Sequence, residues 1–140
     1  MSDPEDVQAS NLNAPLFELY TRIGADYTDA RQRFGSEKTI ERFIRRFVED
    51  RTFENLKAAY DSKDEKAIYY EICEFAEICG SLSLNRLSET AGVIMEAYRP
   101  ANVLNRETFH VNDLFDTLFQ QYYRTIETIK ETLEFNEDIE

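Results

Sequence analysis

Residues 64–82 read DEKAIYYEICEFAEICGSL, and the periodicity of this stretch decides the fold. Ile68, Ile72, Phe75, Cys79 and Leu82 recur at steps of four, three, four and three, the spacing that keeps one helical face turned to a core. At about 100° of turn per residue they fall within roughly 80° of one another. The stretch reads as one long helix, opened by Ser62 and Glu65 in the S-x-x-E spacing of a capping box and ending near Leu82. A second stripe, Tyr69, Cys73, Ala76 and Gly80, is centred about 110° from the first. Helix surfaces facing water carry Lys, Glu or Arg, so a flank of small and weakly polar residues predicts close approach by another body. That body is either a partner or a neighbouring helix of the same domain, and periodicity leaves both open.

Toward the N-terminus, Leu16, Leu19, Tyr20 and Ile23 sit at helical spacing within 14–23, and Gly24 stops that element. Asp26 caps a short helix from Tyr27 to Phe34, which Gly35 ends. Ser36 opens a third helix, with Ile40, Phe43, Ile44 and Phe47 on its apolar face and Arg42, Arg45 and Arg46 as a basic cluster expected to form surface ion pairs. Thr52 starts a fourth piece, with Phe53, Leu56, Ala59 and Tyr60 as its core candidates. Beyond the central helix, Ser83 is expected to cap a helix carrying Leu84, Leu87, Ala91, Ile94 and Tyr98, closed by Pro100. Residues 100–110 read as a loop. Asn112 is expected to cap a final helix with Val111, Phe115, Leu118, Tyr122, Ile126, Ile129 and Leu133 on one side.

With only four Gly and three Pro in 140 residues, the interior is almost free of helix breakers. The fold class is all-α: an up-and-down four-helix bundle with small N-terminal helices packed on it. Its expected bounds are 14–135, after a disordered acidic tail over 1–13 and before a frayed acidic end over 136–140. A chain of this length is one domain and can bury roughly two thirds of the surface of its unfolded form.

The 28 acidic and 16 basic residues leave a net charge of −12 at pH 7, which argues against nucleic acid and anionic membrane surfaces as partners. No apolar run approaches a membrane span and the N-terminus lacks the pattern of a signal peptide, so the expected location is the cytoplasm. Cys73 and Cys79 stand about 240° apart around one helix and cannot pair there, in keeping with reduced thiols.

The segments LYTRIGADYTDARQRF (19–34), FIRRFVED (43–50), FENLKAAY (53–60), AEICGSLSLNRL (76–87) and LFDTLFQQYYRTIETI (114–129) together resemble a histidine-containing phosphotransfer (HPt) domain of the short stand-alone type. The resemblance covers the chain from about Leu16 to Ile129 and rests on helix pattern and small motifs. In that family a phosphoacceptor His is followed by Lys three residues later and Gly four later, then by a small-residue stretch and a Leu-rich turn with an Arg-Leu pair. Aligning Leu82, Leu84, Arg86 and Leu87 on the turn puts Cys73 at the His, Ala76 at the Lys and Glu77 at the Gly.

The three residues that carry phosphorelay chemistry are thus replaced, while the scaffold landmarks remain. Relay needs an exposed imidazole to attack an aspartyl phosphate, a cation to offset the phosphate and a Gly to admit the partner's loop. A thiol is nucleophilic only as thiolate, and the helix neighbours of Cys73 are Glu74 and Glu77. The resemblance therefore implies a non-enzymatic adaptor that binds a response-regulator receiver domain or a histidine kinase through Tyr69, Tyr70, Cys73, Ala76, Glu77 and Gly80, with no cofactor. A helical interaction or dimerisation module outside any phosphorelay is the alternative.

Other chemistry is thinner. Glu107 and His110 have the E-x-x-H spacing of di-iron bundle proteins, but such a site needs two of these motifs and the chain has one His, so no metal is expected. Cys73 with His110 makes a dyad only on paper, since no third orienting group can be named.

Overall fold

The computed structural model describes residues 15–133 and is all-helical, with no strand among the described residues. The expected tail over 1–13, the expected frayed end over 136–140 and the outermost residues of the 14–135 domain lie outside the described residues. A helical stretch over 15–22 (α1) is followed by α2 (Tyr27–Phe34), α3 (Glu37–Glu49), α4 (Thr52–Asp61), α5 (Glu65–Ser81), α6 (Asn85–Ala97) and α7 (Val111–Leu133). No described helix is long and apolar enough to cross a membrane.

The apolar face read on α5 is the core face: Ile68, Ile72, Phe75 and Cys79 are buried, as is Leu82 just beyond the helix. Burial pushes the Cys79 thiol up from its ordinary range. α5 packs against α4 on one side and α6 on the other, and α6 in turn against α7. An aromatic cluster joins α3, α4, α5 and α7, with Phe53 stacked on Tyr122 at a centroid distance of 3.6 Å and Phe47 and Phe75 against the same tyrosine.

Helix starts are legible where the cap is local. The Asp26 carboxylate accepts from Asp29 N–H and the Ser36 hydroxyl from Thr39 N–H, as expected. Gly24 and Gly35 take φ of +69° and +81°, the left-handed conformation in which L side chains are strained.

Four readings need correction. The cap of α5 is Asp64, whose carboxylate accepts from Ala67 N–H, while the Ser62 hydroxyl donates back to Ala59 O; no Ser62–Glu65 box forms. Ser83 caps nothing. It is buried at φ +61°, donates its hydroxyl to Asp29 Oδ2 at 2.7 Å and accepts Asp26 N–H on its carbonyl, tying the α5–α6 turn to the start of α2. Residues Pro100–Phe109 form a 3-10 segment rather than a loop, and α7 begins at Val111, so Asn112 is already inside it and accepts a hydrogen bond from the Tyr60 hydroxyl.

Fourth, the buried side of α7 includes Thr125 and Thr128 while Val111 and Ile126 are only half-buried. Each threonine hydroxyl donates to the carbonyl four residues back, so a polar group can face the core satisfied. On α3, Arg45 pairs with Glu41 as expected, but Arg42 and Arg46 lie over the ring of Phe43.

Candidate functional site

The residues singled out on α5 differ in their surroundings. Tyr69 is half-buried and packs on the core, whereas Tyr70 is 63% exposed. Consecutive helical positions point about 100° apart, which is why one tyrosine covers the core edge and the other stands in solvent. Cys73, Ala76 and Gly80 are half-buried, and Glu74 and Glu77 are exposed along the solvent side of them.

α6 runs back along this flank. A Cβ on Gly80 would stand 3.6 Å from the Ser88 hydroxyl, an ordinary contact, so the neighbouring helix closes that end of the stripe. At the other end Arg99, just past α6, comes within electrostatic reach of Tyr69 and Cys73. A Cβ on Gly92 of α6 would meet nothing within 4 Å. The flank is thus closed by α6 near Gly80.

The charges around it are partly spent. Arg99 donates to Glu96 at 2.7 Å, and this bond holds its guanidinium above the ordinary arginine range. The cation that reaches Cys73 is therefore already engaged. Burial, with the charge of Glu74 behind it, holds the Glu71 carboxyl above the usual range. The flank offers a thiol, a phenol, a glycine and a methyl group: a contact surface with an acidic rim.

His110 is elsewhere. It follows the 3-10 segment at φ +54°, its N–H bonded to Glu107 O, and it lines a groove with Glu65, Tyr98, Arg106 and Asp113 in which neither cysteine takes part. Among the described residues no three His, Cys, Asp or Glu side chains converge as metal ligands.

Several residues escaped the sequence reading. Arg99 reaches the flank from another helix, so no spacing on α5 discloses it. Arg106 joins three elements, and Arg86 and Arg124 line a common groove; only the fold brings these groups together. Comparisons with protein-family models, with curated proteins and with solved structures find no match to this chain.

Proposed function

We propose that this chain is an HPt-like adaptor of a two-component pathway, an up-and-down four-helix bundle that binds a receiver domain or a histidine kinase without carrying a phosphoryl group. The packing of α5 between α4 and α6, and of α6 on α7, supports the bundle reading. One observation carries the functional reading: the half-buried flank of Cys73, Ala76 and Gly80, with Tyr70 exposed at its edge. An exposed aromatic beside small residues is a composition suited to docking. Tyr69, Tyr70, Cys73, Ala76, Glu77 and Gly80 are the contact residues of this reading.

A second reading, an interaction or dimerisation module outside any phosphorelay, is favoured by one feature. Glu74 and Glu77 are exposed at the rim, where they would face the acidic pocket of a receiver unless its metal ion offsets them. Pulldown with the purified chain separates the two, since recovery of response regulators or kinases supports the first and their absence, with a self-associated chain in sedimentation, supports the second. A direct test restores the family's chemistry. The triple variant Cys73→His, Ala76→Lys, Glu77→Gly should accept a phosphoryl group from phosphorylated receivers, and a folded triple variant inert toward several of them would overturn the assignment.

A further inference from the structure

In a chain of net charge −12, most described arginines hold a carboxylate, as Arg22, Arg31 and Arg33 do, and Arg42 and Arg46 lie over Phe43. Arg86 and Arg124 have neither kind of partner among the described residues, and both line one groove of about 620 Å³ between the end of α1, the start of α6 and the outer side of α7. Unpaired guanidinium groups lining one groove of an otherwise acidic molecule mark a place where a negative charge is welcome.

The groove is built, not incidental. Gly24, in the turn after α1, has no Cβ; one placed there would lie 2.5 Å from Arg86 Nη2 and 2.7 Å from its Cζ. The guanidinium therefore lies against the backbone of that turn, in space that a side chain at position 24 would claim. Opposite it, Thr117, Gln120 and Arg124 recur at steps of three and four along α7, so a hydroxyl, an amide and a second guanidinium share one helical face. Ile23 and Leu87 supply apolar floor, and Glu127 is the single carboxylate in the lining.

We propose that this groove binds a phosphate group, either free or as the ester of a small molecule whose organic part rests on Ile23 and Leu87. Two guanidinium forks match the oxygens of a dianion bidentately, and the lone Glu127 leaves the lining with an excess of positive charge for it. This inference concerns the side of the molecule formed by α1, α6 and α7 and does not depend on the proposed docking flank of α5.

The test is a titration followed by amide chemical shifts, with inorganic phosphate and with glycerol 3-phosphate, at ionic strength held constant with sodium chloride. Saturable shifts confined to Gly24, Arg86, Thr117, Gln120 and Arg124 are expected. Tighter binding of the ester assigns the site to phosphorylated small molecules, and equal binding assigns it to free phosphate. Arg86→Gln and Arg124→Gln should each weaken binding about tenfold, the loss of a charged hydrogen bond. Gly24→Ala, which displaces the Arg86 guanidinium, should weaken it too, while Gly35→Ala should not, because a Cβ at Gly35 meets nothing within 4 Å. Shifts that never saturate, that appear equally at Arg42 and Arg46, or that titrate at unchanged affinity in Arg86→Gln would overturn the proposal.

Discussion

Arg106 and Glu65 meet at 2.9 Å, joining the 3-10 segment to the first residue of α5. The two ends of this pair are unequal. The Arg106 side chain is 15% exposed, donates from Nε to Ala97 O at 2.9 Å and lies 4.4 Å over the ring of Tyr98, whereas Glu65 is 62% exposed. Arg106→Ala should cost about 2–3 kcal/mol, since it removes a charged hydrogen bond to a helix end and a cation–π contact along with the ion pair. Glu65→Gln should cost less than about 1 kcal/mol, the usual range for an exposed pair. Urea unfolding at constant slope measures both, and equal losses would show that the carbonyl and ring contacts contribute nothing.

The start of α5 separates two capping assignments. The Asp64 carboxylate accepts from Ala67 N–H at 3.1 Å, and the Ser62 hydroxyl instead serves the end of α4. Asp64→Ala should lower stability by about 1 kcal/mol, the usual effect of losing an N-cap. Ser62→Ala should lower it by about half that, and thermal melts that rank them the other way would restore the Ser62–Glu65 box.

These two cases show what the sequence could and could not disclose. The core face of α5 and the caps Asp26 and Ser36 were legible because their geometry closes within a few residues, where helical periodicity and backbone sterics decide. Asp64 and Ser62 stand within two residues of each other at a helix start, so spacing alone does not choose between them as the cap. Ser83 was illegible for a different reason: its hydroxyl serves Asp29, fifty-four residues earlier, and the turn that brings them together is a product of packing. Arg99 beside Cys73, and Arg86 beside Gly24, belong to the same class. How far the α5 flank is covered depends on where α6 runs, which no single-helix pattern contains.

Alkaline pH should unfold this protein progressively. Burial and the hydrogen bond to Glu37 push Tyr27 up to about 12, burial pushes Tyr122 up to about 12, and the Tyr20 hydroxyl and Cys79 thiol rise further. In each case the folded state holds its proton to higher pH than the unfolded chain does. Their contribution is therefore complete below the unfolded values, about 8.5 for Cys and about 10 for Tyr, and is lost as pH rises toward about 12. Urea midpoints should be flat from pH 7 to 8 and fall steadily above about 9. Tyr27→Phe should flatten part of that slope, and a midpoint unchanged to pH 11 would remove the argument.

Two buried polar groups make opposite predictions. The Tyr20 hydroxyl donates to Leu82 O at 2.9 Å in the core, fastening α1 to the end of α5. The Gln121 Oε1 on α7 is also buried, yet has no hydrogen-bond donor among the described residues. Tyr20→Phe takes a donor away and leaves the Leu82 carbonyl desolvated, which should cost about 1–2 kcal/mol. Gln121→Met keeps the length of the side chain and removes an acceptor that folding has stripped of water, so stability should hold or rise by up to about 1 kcal/mol. Paired urea titrations decide it: a Gln121→Met loss as large as that of Tyr20→Phe would mean that the amide oxygen is satisfied in solution.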